Sequence, residues 1–268
     1  MRNKLIACMP VRNEEWLLAK TLADLSEYVD EIVCVDDGST DNTPHILRSF
    51  PKVTAIHTNP PGTKPFHNAQ ESDNRNKVLE LARQRGATTI LQIDADEIFD
   101  DRIKAEMPKL LSRGCSTKFQ ICHLWDSLDK FRVDRDWGNF YRYRLYALKG
   151  HTRFSPQAII ATPKAYDRKN TFKSDVKIVH YGWLCETVRL RSLRRYYEVY
   201  RLKHAKKKIS WEEFKNSKEM QAELKIVSQF DVPTLRSWAE MLPQVPQDKF
   251  ALCHHTMSYV TGQKEFAI

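Results

Sequence analysis

The chain has 268 residues, of which 41% are hydrophobic and 29% charged, as is usual for a globular protein. This length can bury one large core, or one core with a smaller appendage. No apolar run reaches the roughly 18 residues that a membrane-spanning helix requires. None of the six cysteines belongs to a C-x-x-C pair, so we interpret them as reduced thiols of a cytoplasmic protein.

The first half of the chain alternates between strand and helix patterns. Residues 1–11 superficially resemble a signal peptide, but Pro10 interrupts the apolar stretch and charged residues follow at once, so we predict a first strand ending near Val11. Repeated β-α-β units of this kind indicate a parallel sheet with helices on both faces. The further predicted elements are a helix over 14–29, a strand over 31–36, a helix from Thr43, a strand over 53–57, a long loop over 58–69, a helix over 71–85 and a strand over 88–94.

The pattern changes after residue 114. Segments with strand character follow one another without a strong helix between them, which predicts a mixed or antiparallel region. From residue 186 onward the chain has a helical pattern instead. The predicted strands are 117–125, 140–148, 157–162 and 176–181, and the predicted helices are 186–207, 211–228 and a third from near Pro233.

Two acidic clusters each close an apolar run of strand length. The first is Asp36-Asp37, and the second is Asp94-Ala95-Asp96-Glu97. In an open α/β sheet, ligands lie at the carboxyl ends of the strands, where these carboxylates would gather and repel one another. A hard divalent cation that carries phosphates relieves this repulsion. The pattern therefore favours a metal-dependent enzyme that acts on a nucleotide-linked substrate.

Four motifs, taken together and in order, resemble those of family 2 glycosyltransferases of the GT-A fold. They are Pro10-Val11-Arg12-Asn13-Glu14-Glu15, Val35-Asp36-Asp37-Gly38-Ser39-Thr40-Asp41, Asn74-Arg75-Asn76-Lys77 and Asp94-Ala95-Asp96. The resemblance implies an α/β fold with a central, mostly parallel, Rossmann-like sheet flanked by helices, mixed strands and a helical carboxyl-terminal extension. It also implies an inverting, metal-dependent transfer of a sugar from a nucleotide-diphosphate sugar, with a UDP-sugar favoured, to an acceptor hydroxyl.

The same resemblance suggests how the chain is divided. Residues 1–185 would form the catalytic domain, with a nucleotide-binding half over 1–115 and an acceptor half over 116–185. Residues 186–268 would form a helical extension packed on it. The acceptor stays open between a glycan, a lipid-linked molecule and a protein.

The resemblance assigns four residues to the nucleoside. Pro10, Arg12 and Glu14 would flank the base. The carboxylate of Asp36 would accept the imide N–H of uracil or thymine, which requires an acceptor-only group. A capped turn, with Ser39 satisfying backbone donors, is the simpler reading of this segment, and both can hold together.

Four further residues are assigned to the diphosphate and a metal. Asp94 would bind the ribose and Arg75 would approach the phosphates. Asp96 would hold Mn²⁺ or Mg²⁺, because oxygen ligands favour these ions over zinc. His180, followed by Tyr181-Gly182-Trp183, would complete the metal shell, although a histidine at a strand end is often structural.

The catalytic base is assigned to the acceptor half. An inverting enzyme needs one carboxylate to deprotonate the acceptor hydroxyl. We select Asp134 and Asp126 from the acids between residues 123 and 137. Some relatives carry a His-Glu pair near here, but this chain has Phe154-Ser155-Pro156-Gln157 at the corresponding place.

The basic helix predicted over 186–207 leaves other functions open. Together with a net charge of +9 it permits contact with an anionic membrane surface, whereas nucleic acid is not expected. One alternative is a nucleotidyltransferase acting on a sugar phosphate, but the first strand lacks the Gly-rich, basic loop of that class. A non-catalytic RNA- or membrane-binding protein is the other, and it leaves the aspartates unexplained.

Overall fold

The fold is known from a computed structural model that describes residues 3–61, 68–155, 170–223 and 234–237. The strands in these ranges are β1 (Leu5–Val11), β2 (Glu31–Asp36), β3 (Val53–Thr58), β4 (Thr89–Gln92), β5 (Glu97–Phe99), β6 (Ser116–His123), β7 (Lys130–Arg132), β8 (Tyr141–Ala147), β9 (Thr171–His180) and β10 (Leu235–Ser237). The helices are α1 (Leu18–Leu25), α2 (Thr43–Ser49), α3 (Asn68–Gln84), α4 (Ile103–Arg113), α5 (Glu186–Lys203), α6 (Trp211–Asn216) and α7 (Lys218–Glu223), with a 3₁₀ turn at Arg135–Asn139.

Within the described ranges, eight strands form one sheet in the order β3-β2-β1-β4-β8-β6-β9-β5. The first four strands pair in parallel, as the sequence predicts, so the carboxyl ends of β1, β2 and β4 meet at one edge. Strand β8 runs antiparallel to β4 and β6, and β5 runs antiparallel to β9, which confirms the predicted mixed region. The sheet therefore passes through both halves without a break.

Side-chain alternation along β1 explains why the first strands are apolar throughout. Leu5, Ala7 and Met9 belong to the core cluster that contains the buried faces of α1 and α4. Ile6 and Cys8 point to the other face and pack in the cluster that contains residues of α3. A strand with helices on both faces buries every residue, which gives a continuous apolar run.

Several predicted elements differ from the structure. The strand over 97–99, helix α4 and strand β7 were not predicted, and the predicted strand over 157–162 lies outside the described residues. The helix predicted over 211–228 breaks at Ser217 into α6 and α7, and its last residues are not described. The helix predicted from near Pro233 is wrong over Leu235–Ser237, which form β10 instead.

Strand β10 supplies hydrogen-bond partners to the backbone groups of β7. Leu235 pairs with Arg132 in an antiparallel ladder, and the Val133 N–H donates to the Thr234 carbonyl over 2.9 Å. Such long-range pairing is invisible to local helix propensity. In the ranges described, no helix is both long and apolar enough to cross a bilayer.

Candidate active site

A crevice of about 370 Å³ opens at the carboxyl ends of β1 and β4. It is bordered by the loop after β1, by the acidic turns after β2 and β4, by α3, by the end of β9 and by α5. The four motifs singled out in the sequence therefore meet at one place. The lining residues are Pro10, Val11, Arg12, Asn13, Glu14, Asp37, Glu71, Asn74, Arg75, Asp94, Ala95, Asp96, His180, Arg191, Arg194, Arg195 and Glu198.

Asp94 is held by two arginines. Its Oδ1 accepts from Nη2 of Arg75 over 2.9 Å, and its Oδ2 accepts from Nη2 of Arg144 over 3.0 Å. Arg75 also binds Glu71, and Arg144 also binds Glu97. Burial raises the pKa of Asp94, but the charges of Arg75 and Arg144 outweigh it and hold that pKa below its ordinary value. Asp94 is therefore ionised and fixed in orientation.

The sequence alone assigned no role to Arg144, although the pattern around it indicates a buried position. It lies in the alternating segment Tyr141-Arg142-Tyr143-Arg144, and a buried arginine requires acidic partners. Burial, followed by repulsion from Asp94, outweighs Arg144 and raises the pKa of Glu97 to about 7. Asp94, Glu97, Arg75 and Arg144 thus form one charge network, of which Asp94 and Arg75 border the crevice.

Asp96 and His180 face each other across the end of β9. Oδ2 of Asp96 lies 3.3 Å from Nε2 of His180. Strand pairing brings them together, because Glu97 is in register with His180 and the Tyr181 N–H donates to the Asp96 carbonyl over 2.9 Å. Burial lowers the pKa of His180, but the Asp96 carboxylate outweighs it and the net shift is upward.

Gly182 leaves the space that this pair requires. A Cβ at this position would lie 2.5 Å from Oδ2 of Asp96 and 2.6 Å from Cε1 of His180. Contacts that short are not tolerated, so any other residue would push the two side chains apart. The glycine after the strand end is therefore part of the site.

His123 lies behind His180. The Nδ1 atoms of the two rings are 2.8 Å apart, and the edge-to-face rings of Trp137 and Phe140 hold His123 in place. Burial, followed by the charge of His180, holds the pKa of His123 well below its ordinary value. One of the two Nδ1 atoms carries the proton of this bond, and Nε2 of His180 faces Asp96 in either case.

The residues near Asp96 fit a metal ion with few protein ligands. Across the described ranges, no group of three or more His, Cys, Asp or Glu side chains is placed to hold a metal. The Asp96–His180 pair supplies one oxygen and one nitrogen at the wall of the crevice, with room preserved by Gly182. Mg²⁺ and Mn²⁺ commonly take their remaining ligands from water and phosphate oxygens, so this donor pair could hold such an ion only together with those ligands.

The loop after β1 is tied to α5. Arg191 binds Oε1 of Glu14 over 2.5 Å and donates to the Asn13 carbonyl over 3.0 Å. Trp16 donates to the other oxygen of Glu14 over 2.6 Å. Burial raises the pKa of Glu14, Arg191 opposes this and Asp96 adds to it. Glu14 borders the crevice, but one of its oxygens binds Arg191 of α5 and the other binds Trp16.

Of the two acids after β2, Asp37 borders the crevice and Asp36 lies behind it. Asp37 accepts from Asn59 over 2.8 Å and from Gln70 over 2.7 Å, and Nη1 of Arg12 is 3.8 Å from its Oδ2. Asp36 is 1% exposed, and its Oδ1 accepts from the Ser39 N–H over 3.0 Å. Among described residues, its Oδ2 has no hydrogen-bond partner.

Neither predicted base borders the crevice. Asp134 binds Nε and Nη2 of Arg132 over 2.8 Å each and accepts from the Thr234 N–H. These bonds, those of Arg132 first, lower its pKa. Asp126 binds Arg189 over 2.8 Å and remains largely exposed. Both acids pair with arginines that stack on Trp125. The sequence alone does not show that these arginines need acidic partners.

The comparison with known protein families identifies the family of this chain. Residues 6–168, more than half of the chain, match the sequence profile of glycosyl transferase family 2. The uncharacterised protein MJ0544 of Methanocaldococcus jannaschii is 43% identical over 53 residues, which is 20% of this chain and 23% of that protein. The match thus covers less than a quarter of that relative.

The solved structures that align with this chain include TarS of S. aureus. It aligns at a TM-score of 0.47 and 15% identity, over 74% of this chain and 38% of that chain. A structure of TarS in complex with UDP aligns at 0.46 and 14% identity, over 72% and 64% of the two chains. Glucosyl-3-phosphoglycerate synthase from Mycobacterium tuberculosis, in complex with Mn²⁺ and UDP, aligns at 0.32 and 17% identity, over 45% and 44%.

The chain belongs to glycosyl transferase family 2, as the four motifs predict. Its mixed eight-stranded sheet, parallel in the first half and flanked by helices, confirms the predicted GT-A-like fold class.

Proposed function

We propose that this chain transfers a sugar from a nucleotide-diphosphate sugar, with a UDP-sugar favoured, to an acceptor hydroxyl with inversion at the anomeric carbon. The observation that carries the proposal is the Asp96–His180 pair, whose carboxylate and imidazole meet at the wall of the crevice. All four family motifs border the same crevice or lie directly behind it, so donor and ion would bind side by side.

The nucleoside would lie against the ends of β1 and β2. Pro10, Arg12 and Asp37 border that part of the crevice, and we assign them to the base. We keep Asp36 as a proposed contact because its buried Oδ2 has no partner among the described residues. Buried acceptors without partners are uncommon, which supports a role in holding a donor group of the ligand.

Asp94 would bind the ribose while its arginines stay in place. Each carboxylate oxygen has two lone pairs, so Asp94 can accept from a ribose hydroxyl in addition to Arg75 and Arg144. Arg75 uses Nε and Nη2 to bind Glu71 and Asp94, whereas its buried Nη1 has no hydrogen-bond partner among the described residues. Arg75 would therefore support the ribose contact and keep Nη1 for the phosphates, the role that the family resemblance suggested.

Asp96 and His180 would hold the metal ion. When bound, the ion would stabilise the negative charge that develops on the departing nucleoside diphosphate. An imidazole ligand suits Mn²⁺ better than Mg²⁺, so we propose a preference for manganese. His123 would keep Nε2 of His180 free for the ion by accepting the Nδ1 proton, as outer partners of metal-bound histidines commonly do.

Asp126 is the better supported of the two proposed bases. A base works best when its carboxylate is accessible and not over-stabilised. The Asp134 carboxylate is bonded to Arg132 through both oxygens and has a lowered pKa, which makes it a weak base. The Asp126 side chain is 58% exposed, and its one ion-pair partner among the described residues is Arg189. A swing of Arg189 would release it.

We also propose that the lysines at the end of α5 can contact an anionic membrane surface. Lys203 and the run Lys206-Lys207-Lys208 are exposed, whereas several arginines earlier in α5 face the crevice. Each exposed basic residue contributes about 1 kcal/mol of attraction at an anionic surface. Co-sedimentation with vesicles containing phosphatidylglycerol, but not with phosphatidylcholine alone, is the expected result.

The deciding experiment is calorimetric titration of UDP with and without Mn²⁺. Wild type should bind UDP in a metal-dependent manner, and Asp96→Asn should abolish that dependence because one of two protein ligands becomes neutral. Asp73→Asn is the matched control, since Asp73 is an exposed acid on α3. Metal-dependent UDP binding that survives in Asp96→Asn would refute the assignment.

A further inference from the structure

One face of α5 forms a wall of the crevice. Arg191, Arg194, Arg195 and Glu198 all border it, and their spacing of three, four and seven residues places them on one side of a helix. Two members of this face already have partners within the protein. Arg191 binds Glu14 and the Asn13 carbonyl, and Glu198 binds Arg201 over 3.1 Å.

Arg194 is held by aromatic rings instead of an acid. Its guanidinium carbon lies 5.1 Å from the ring centre of Tyr197 and 4.8 Å from that of Trp211. No carboxylate among the described residues forms an ion pair with it. A guanidinium that stacks by its faces keeps its N–H groups in the plane, where they match a phosphate or carboxylate bidentately.

The aromatic support is itself fixed by the fold. The Tyr197 hydroxyl donates to the Ile209 carbonyl over 2.9 Å, and Trp211 meets Tyr197 edge to face at 5.6 Å. Trp211 is placed by a capping box in which Ser210 and Glu213 bond reciprocally at the start of α6. The position of Arg194 is therefore prepared before any ligand arrives, which lowers the entropy cost of binding.

The charges of the crevice indicate which ligand Arg194 serves. Asp94, Glu14 and Asp96 are each matched by a cationic neighbour, and the donor diphosphate would be matched by the proposed metal ion. Burial raises the pKa of Asp96, but the nearby charges of His180 and Arg191 help to lower it, and the net shift is downward. Arg194 lies about 4.5 Å further along the helix axis than Arg191.

We propose that Arg194 binds an anionic group, a phosphate or a carboxylate, on the acceptor. This rests on the proposed glycosyl transfer and deepens it, because it assigns the acceptor to the class of anionic molecules. The acceptor would enter past α5, with its anion on Arg194 and a hydroxyl directed toward the donor. Tyr197 and Trp211 act as positioning residues for the guanidinium.

The test uses inorganic phosphate as the probe, with the protein first saturated with UDP and Mn²⁺ so that the diphosphate position is filled. Calorimetric titration should detect phosphate binding to wild type. Arg194→Gln should weaken it at least tenfold while UDP affinity stays within twofold of wild type. Arg194→Lys should fall between them, because a lysine keeps the charge and loses the bidentate geometry.

Arg201→Gln is the matched control. Arg201 carries the same charge, lies on the same helix and also contacts the ring of Tyr197. Unlike Arg194, it does not border the crevice. The variant should bind phosphate as wild type does. Circular dichroism melting of each variant establishes that the helix is intact, since a loss of fold would also weaken UDP binding.

The other outcomes separate the two proposals. Absence of phosphate binding in UDP-saturated wild type, or equal binding by Arg194→Gln, overturns the anion site. A fall in UDP affinity in a folded Arg194→Gln overturns it too, because Arg194 then serves the donor diphosphate. If wild type binds phosphate through Arg194 but does not bind UDP with Mn²⁺, the anion site stands and the transferase proposal fails.

Discussion

The two walls of the crevice balance their charges differently. On the wall built from β1, β4 and α3, Asp94, Glu71 and Glu97 are joined to Arg75 and Arg144 in one buried network. On the wall built from α5, Arg194 is supported by two aromatic rings and has no acidic partner among the described residues. The arginines of the first wall are paired with carboxylates without a ligand, whereas the second wall presents a charge that a ligand can neutralise.

This difference follows from where the side chains originate. Arg144 lies on β8, which is hydrogen-bonded on both sides, and Arg75 is buried on α3, so both arginines must be paired with carboxylates. Helix α5 leaves the end of β9 and lies at the surface, where an unpaired guanidinium remains hydrated at little cost. The two walls therefore differ in whether burial forces their arginines to pair with carboxylates.

The largest effect is expected where the buried network is broken. Arg144→Met removes the only cation shared by Asp94 and Glu97 within the described residues and should lower the free energy of unfolding by about 3 kcal/mol. Chemical denaturation measures this directly. Arg153→Met, at an exposed arginine, should change it by less than about 0.5 kcal/mol. Equal stabilities would mean that the first wall does not depend on its charge network.

The next effect is expected at Gly182, which joins the two walls. Gly182→Ala places a Cβ against Asp96 and His180 and should weaken Mn²⁺ binding by about 10- to 100-fold, the range seen when the surroundings of a metal ligand are disturbed. Electron paramagnetic resonance of free Mn²⁺ reports the affinity. Gly150→Ala is the control, because a Cβ there meets nothing within 4 Å. Unchanged affinity would place the ion elsewhere.

A smaller effect is expected at His123. His123→Leu removes the acceptor of the His180 Nδ1 proton and should weaken Mn²⁺ binding about tenfold. His123→Asn keeps an acceptor oxygen near the position of Nδ1, so it should stay within a few-fold of wild type. If both variants lose affinity equally, His123 acts through packing against Trp137 rather than through the hydrogen bond.

The sequence predicted the strands and site residues that depend on local patterns. It did not predict the residues whose roles depend on partners far away in the chain. The apolar runs located β1, β2 and β4, and their acidic ends located the crevice. His180 was expected to lie near Asp96, and the structure has them 3.3 Å apart, although the metal role stays a prediction. Arg144 and His123 were missed because each acquires its role only through a residue on another strand.

The smallest effect is expected at the opposite end of the sheet, where charges are paired but exposed. Glu31, at the start of β2, binds Arg85 over 2.7 Å and Lys4 over 2.5 Å. Burial raises the pKa of Glu31, but the hydrogen bonds from Arg85 and Lys4 outweigh it and lower that pKa to about 2 from 4.5. The folded state therefore binds fewer protons than the unfolded state between these values.

The stability from Glu31 should be fully present above pH 4.5 and lost as the pH falls toward 2. Because Arg85 and Lys4 are more than a third exposed, solvent screening reduces this contribution to about 1 kcal/mol. Glu31→Gln should flatten that part of the stability curve measured by urea unfolding between pH 5 and pH 3. If the variant keeps the full slope, the acid sensitivity belongs to the buried carboxylates of the crevice, and the paired first wall is the weak point of the fold in acid.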